Sequence, residues 1–128
     1  MAKRKPKKAA AKKSKAKSRP RKSGGANKGK LPKEAVTLVV ILRPREAQEY
    51  LLEAELRALV GPTRKEEGCI TYDLHRAIEP PTGYLLHEVW ASRAAHTAHT
   101  NTQHFLRWNA RKDTLLASRE LTFWKQIV

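Results

Sequence analysis

The chain has 128 residues, and its 27 Lys and Arg residues outnumber 12 Asp and Glu residues, which gives a formal net charge of +15. The single cysteine, Cys69, excludes an intrachain disulfide. No apolar run reaches the roughly 18 residues of a membrane span or follows the pattern of a signal peptide. These features predict a cytoplasmic protein without disulfides.

The positive charge is confined to the first 33 residues, where no acidic residue occurs. From Glu34 onward 12 basic residues balance 12 acidic ones, so this part of the chain is formally neutral. Residues 1–30 contain no aromatic or branched aliphatic side chain that could offset the entropy of ordering. We therefore predict a disordered basic tail over residues 1–33 and one small domain over residues 34–128.

Two basic clusters in the tail, KRKPKK and RPRK, suit contact with nucleic-acid phosphates. Such contact releases counterions and gives sequence-independent, salt-sensitive binding, with nucleoid or nuclear association as a consequence. The alternative is a solvated arm that keeps a neutral domain in solution. The candidate contacts are Lys3, Arg4, Lys5, Lys7, Lys8, Arg19, Arg21 and Lys22.

The domain begins with an apolar strand and an amphipathic helix. Val36–Leu42 (VTLVVIL) is almost continuously apolar, which is typical of a strand covered on both faces. After Pro44, leucines recur at helical spacing from Leu52 to Leu59. Gly61 and Pro62 are expected to end this helix.

Two alternating segments, Cys69–Arg76 and Tyr84–Trp90, predict a β-hairpin joined by the turn Glu79–Gly83. Its register decides whether Tyr72 and Trp90 share a face, because a shift of one residue reverses every side chain. The alternation alone leaves that register open.

Two short helices and a strand complete the domain. Ser92 is the expected N-cap of a helix through His99, and Thr102 that of a second helix. Arg119–Val128 alternates like a last strand. The order of elements predicts a ferredoxin-like, split βαβ unit of the α+β class. Helices on one side leave the other sheet face bare, so we predict a homodimer whose sheets stack.

Three segments resemble the antibiotic biosynthesis monooxygenase family, in particular its quinol monooxygenase-like members. They are ALVGPTRKEEGCITYDLHR at 58–76, HEVW at 87–90 and AHTNTQHF at 98–105. The resemblance covers the domain and none of the tail. It implies a dimeric α/β barrel with a pocket between sheet and helices, and a reaction of a hydroxylated aromatic substrate with molecular oxygen that needs no metal, flavin or other cofactor.

The resemblance also implies the site residues. Tyr72, Trp90 and Phe105 would bind the aromatic ring and exclude water. His99 or His104 would be the base that deprotonates the substrate. Glu88 lies close to these positions by the resemblance, and its spacing of two residues from Trp90 puts both on one strand face, where its carboxylate would accept a hydrogen bond from one imidazole. The same Glu–His bond could equally tie sheet to helix without catalysis.

Other functions remain open from the sequence. The domain could be a non-catalytic ligand-binding or scaffold dimer that the tail tethers to nucleic acid. It could also be a small phospho-carbonyl isomerase in which Arg64 or Arg76 holds the phosphate. A metal site is disfavoured because no Cys, Asp or Glu near His96 and His99 in sequence completes a ligand set. His96 itself is expected to be exposed.

Overall fold

The computed structural model describes residues 31–128, which form four strands and three helices. The predicted tail lies, up to residue 30, outside the described residues. The elements are β1 Val36–Pro44, α1 Glu49–Arg64, β2 Cys69–Arg76, β3 Tyr84–Trp90, α2 Arg93–His99, α3 Gln103–Leu115 and β4 Leu116–Trp124. Within these residues, no helix combines the length and the apolar character needed to cross a membrane.

The four strands form one antiparallel sheet in the order β2-β3-β1-β4. This order confirms the ferredoxin-like α+β prediction, with β1 and β3 in the centre. Tyr72 of β2 pairs with Glu88 of β3, two residues before Trp90. Because side chains alternate along a strand, Tyr72, Glu88 and Trp90 all point from the same sheet face. The register therefore places the predicted site residues on one side of the sheet.

The core lies between that face and the helices. Leu38, Val40 and Leu42 of β1 are buried there against leucines of α1. On the opposite face Val39 and Ile41 are only half-buried. The strand β1 is thus apolar on both faces, but helices cover only one of them.

The helix α1 continues through Gly61 and Pro62, so the predicted end there is wrong. Proline lacks one N–H, but near the C-terminus of a helix this costs a single hydrogen bond. The helix ends after Arg64, where the N–H of the C-cap residue Lys65 donates to the carbonyl of Pro62. As a result Thr63 belongs to the helix and is fully buried.

The last strand starts earlier and ends earlier than predicted. It begins at Leu116, directly after α3, and ends at Trp124. Pairing with β1 sets these limits, since Leu116 lies opposite Pro44 and Trp124 opposite Thr37. The alternation from residue 125 to the C-terminus has no partner strand among residues 31–128.

Both predicted helix caps are confirmed. The side chain of Ser92 accepts a hydrogen bond from the N–H of Ala95, and that of Thr102 accepts one from the N–H of Phe105. A tight turn therefore separates α2 from α3. It brings the last residue of α2 and the second residue of α3, His99 and His104, to the same place.

Candidate active site

One carboxylate, that of Glu66, holds both predicted catalytic histidines. Glu66 lies in the loop between α1 and β2. Its Oε2 lies 2.8 Å from Nδ1 of His99 and 2.6 Å from Nε2 of His104. Charge-assisted bonds of this kind are shorter and stronger than those between neutral groups. The three side chains therefore form one connected unit, which we call the Glu66 cluster.

The shared carboxylate assigns the tautomers of the two imidazoles. A neutral imidazole carries one N–H, and a carboxylate accepts it. The N–H groups therefore lie on Nδ1 of His99 and Nε2 of His104, which leaves Nε2 of His99 and Nδ1 of His104 as basic nitrogens. Burial lowers the pKa of His99, an effect that the bond to Glu66 partly opposes.

The three side chains of the Glu66 cluster differ in their exposure to solvent. The exposed fraction of the side chain is 2% for His99, 12% for Glu66 and 18% for His104. A molecule arriving from solvent therefore meets His104 first. His99 contacts the interior of the domain.

The rings predicted to bind substrate surround His99. Ring centroids lie 4.8 Å from His99 for Trp90, 5.0 Å for Phe105 and 5.6 Å for Tyr72. Trp90 and Tyr72 are almost completely buried, and burial raises the pKa of Tyr72, so its phenol stays protonated. The rings pack against one another, and at the rim of this group Phe105 and His104 are half-buried.

Glu88 is buried beneath these rings, but its partner is not an imidazole. The indole N–H of Trp90 donates to Oε1 of Glu88 at 2.9 Å. The predicted Glu88–imidazole bond is therefore wrong, and Glu66 takes that position. Burial, aided by the charge of Glu66, raises the pKa of Glu88 to about 7, although the Trp90 bond lowers it. Glu88 is thus a buried carboxyl that titrates near neutral pH.

The sequence offered no pattern that would single out Glu66. It is separated by 33 residues from His99 and by 38 from His104. Its neighbour Glu67 is also acidic, and no periodicity distinguishes the two in a loop. Only the fold of the loop between α1 and β2 selects Glu66.

His96 is half-buried, so the prediction that it is exposed is wrong. Its ring centroid lies 5.9 Å from those of Trp90 and His99 and 5.6 Å from that of Phe123. Burial, together with nearby His99 and Arg93, lowers its pKa to about 4. His96 is therefore a neutral ring at pH 7 that extends the aromatic group towards β4.

The donor atoms of the Glu66 cluster also meet a distance criterion for metal ligation. One ligand atom from each of Glu66, His99 and His104 lies within 4.8 Å of the others. No carboxylate lies near His96 and His99 in sequence, but one lies beside His99 and His104 in the fold. Glu66 is distant in sequence but adjacent in space.

A separate, arginine-rich cleft of about 450 Å³ lies between α1 and the hairpin. It is lined by Arg64 and Arg76, the two candidate phosphate ligands of the isomerase hypothesis. Both are already paired: Arg64 with Asp73 at 2.9 Å, and Arg76 with Glu53 at 2.6 Å. The bonds from Arg76 and Arg57 lower the pKa of Glu53 to about 2. A phosphate would have to compete with these carboxylates.

The fold and the site together define a class of protein. It is an α+β domain in which an imidazole–carboxylate unit lies beside buried aromatic rings. Residues 35–111 match the model of the antibiotic biosynthesis monooxygenase family. The chain belongs to this family.

Named relatives agree with the family assignment. The chain is 33% identical over 81 residues to "Putative monooxygenase Rv0793" of Mycobacterium tuberculosis, a match that covers 63% of this chain and 79% of the relative. It is 32% identical over 77 residues to "Putative monooxygenase YcnE" of Bacillus subtilis, over 60% and 79% of the two chains. The crystal structure of PA3566 from Pseudomonas aeruginosa superposes with a TM-score of 0.72 at 34% identity, covering 74% of this chain and 96% of the other. The family and the two names support a monooxygenase-type activity.

Proposed function

We propose that this domain is a cofactor-independent monooxygenase that acts on a hydroxylated, quinol-type aromatic substrate with molecular oxygen. The observation that carries the proposal is the Glu66 cluster, in which a half-buried His104 is hydrogen bonded to a carboxylate beside buried aromatic rings. Such a pair provides an imidazole base whose tautomer and orientation are fixed by the carboxylate.

The proposed reaction starts with proton transfer from a substrate hydroxyl to Nδ1 of His104. The resulting anion is electron-rich enough to reduce oxygen by one electron, and the radical pair then forms a carbon–oxygen bond. When the O–O bond breaks, the substrate supplies the second pair of electrons, and one oxygen atom leaves as water. A hydroquinone and O₂ thus give a hydroxylated quinone and water, and no external reductant is consumed.

The remaining predicted residues have supporting roles in this scheme. Phe105, at the rim, offers the face against which a flat ring packs. Trp90 and Tyr72 form the dry floor beneath it and keep water from the radical pair. Glu88 acts as a positioning residue through its bond to the Trp90 indole.

Oxygen uptake with a panel of hydroquinones tests this proposal. The purified chain should consume oxygen after treatment with a chelator, and exchange of His104 for Ala should remove most of the uptake. His75→Ala is the matched control, because His75 is exposed on β2, away from the Glu66 cluster. A folded chain without uptake on any quinol would refute the oxygenase and favour the binding or scaffold alternative.

A homodimer is proposed as the functional assembly. The sheet face opposite the helices carries half-buried Val39, Ile41 and Leu85, and Trp124 at its edge is 58% exposed. A second copy stacked on this face would remove apolar surface from water. Light scattering should show that Trp124→Lys weakens the dimer. Tyr50→Lys, at an exposed position on α1, should leave it intact.

A second candidate function, non-specific binding of nucleic acid by the tail, is favoured by the separation of charge along the chain. All of the formal charge of +15 comes from residues 1–33. The proposed contacts from Lys3 to Lys22 lie outside the described residues. Deletion of residues 1–33 should abolish binding to duplex DNA, and binding by the full chain should weaken steeply with salt. Retention of binding by the truncated domain at moderate salt would contradict this assignment.

A further inference from the structure

We propose that Glu66, His99 and His104 bind a divalent transition-metal ion, such as Zn²⁺ or Co²⁺, and that the bound ion silences the base of the proposed oxygenase. The metal site is inferred from the donor geometry alone. The inhibition rests in addition on the proposed function.

The three donors are of the kind that these metals prefer. Two imidazole nitrogens and one carboxylate oxygen suit Zn²⁺, Co²⁺ and neighbouring first-row ions, whereas Mg²⁺ and Ca²⁺ favour oxygen donors alone. Three protein ligands leave a fourth position for water or a small molecule. Because the His104 and Glu66 side chains are 18% and 12% exposed, an ion and this fourth ligand can reach the Glu66 cluster from solvent.

Rotation of side chains, without a change of fold, is what formation of the site requires. The donor atoms lie within 4.8 Å of one another, and the two N···O contacts are 2.8 and 2.6 Å. Metal bonds of about 2.0–2.2 Å in tetrahedral geometry place donors about 3.3 Å apart. The two contacts must therefore widen by about 0.5–0.7 Å, and the two imidazole nitrogens, which lie up to 4.8 Å apart, must approach each other by about 1.5 Å, which requires rotation of the Glu66 and His104 side chains.

Metal binding and base catalysis compete for the same imidazole electrons. A metal on Nε2 of His104 needs that nitrogen free of its proton, so the proton of the neutral ring moves to Nδ1. In the absence of metal, Nδ1 is the basic nitrogen that faces away from Glu66 and is proposed to deprotonate the substrate. The metal-bound form therefore has no free lone pair on His104, and it also neutralises Glu66.

Titration of the chelator-treated full chain with Co²⁺ tests the site without any assay of activity. One equivalent of Co²⁺ should produce the visible ligand-field absorption of a nitrogen–oxygen site, and Zn²⁺ should displace it. Glu66→Ala and His104→Ala should each weaken binding at least tenfold. His104→Gln provides a second variant at this half-buried position in case an alanine variant fails to fold.

Glu67→Ala and His75→Ala are the matched controls, because each changes the same residue type at an exposed position. His96→Ala separates this site from one built on His96 and His99, and it should still bind Co²⁺. Absence of the spectrum in the native chain, or an equal spectrum in Glu66→Ala, would overturn the metal site. So would loss of binding in Glu67→Ala alone.

The inhibition is measured by oxygen uptake with and without Zn²⁺. Saturating Zn²⁺ should reduce turnover at least tenfold, and removal of the ion by a chelator should restore it. A rate that rises with Zn²⁺ would overturn the competition between metal and base. A chain that binds Co²⁺ but consumes no oxygen in any state would refute the oxygenase and leave the metal site standing.

Discussion

Exchange of Glu88 for Gln should stabilise the domain at neutral and alkaline pH. Glu88 is 4% exposed as a residue, and burial raises the pKa of its carboxyl group from 4.5 to about 7. Because each pKa unit corresponds to about 1.4 kcal/mol, keeping this group ionised in the folded chain costs about 3 kcal/mol. Glutamine carries no charge, and its side-chain oxygen can still accept the indole N–H of Trp90.

The sign of the effect follows from where each state loses its proton. Below pH 4.5 the carboxyl group is neutral in both states and costs nothing. Between pH 4.5 and about 7 the unfolded chain ionises while the folded chain keeps its proton, so the free energy of unfolding falls as pH rises. Above about pH 7 both states are ionised and the full cost is present. His96, whose pKa is lowered from 6.5 to about 4, has the opposite effect: its contribution makes the free energy of unfolding rise with pH up to about pH 6.5.

Urea unfolding of the native chain and of Glu88→Gln, at one protein concentration, measures the difference in their free energies of unfolding. The His96 contribution cancels because it is present in both chains. The stability gained by Glu88→Gln should be about 2–3 kcal/mol greater at about pH 8 than at about pH 5. The control Glu67→Gln, at an exposed position, should show no such change with pH. A pH-independent difference for Glu88→Gln would refute a raised pKa for the buried carboxyl.

Three further outcomes are expected. His104→Ala should lower oxygen uptake with a quinol by about 10²-fold if His104 is the base, whereas uptake by His75→Ala should match the native rate. Thr63→Val should raise the free energy of unfolding by about 1 kcal/mol, because the buried Thr63 hydroxyl, which lies beside the Tyr72 phenol, makes no hydrogen bond of normal geometry among residues 31–128; a loss of stability in thermal melts would instead show that the Thr63–Tyr72 contact is a stabilising hydrogen bond. Phe123→Ala should raise the pKa of His96 above about 4, because the Phe123 ring covers it; an unchanged value by NMR titration would exclude that cause.

Local patterns were sufficient to predict the fold. The apolar run of β1, the alternation of β2 and β3, and the caps at Ser92 and Thr102 all depend on residues close in sequence. Their order then leaves few ways to bury one face of the sheet. The ends of α1 and β4 were predicted less well, because they depend on tertiary contacts such as the pairing of Leu116 with Pro44.

The resemblance of three short segments selected most of the candidate site. It singled out His99, His104, Trp90 and Tyr72, which the structure brings together. The spacing of Glu88 from Trp90, which puts both on one strand face, selected Glu88 as the partner of an imidazole. That inference identified the correct face but the wrong hydrogen bond.

By itself, the sequence determined the elements, their order and the separation of charge between tail and domain, because periodicity, capping and charge are properties of neighbouring residues. Only the tertiary structure decided that Glu66 joins the two imidazoles and that His96 is covered by Phe123. These contacts link residues far apart in the chain, and hydrogen bonds or burial between them depend on the paths of loops and the register of strands rather than on any local pattern.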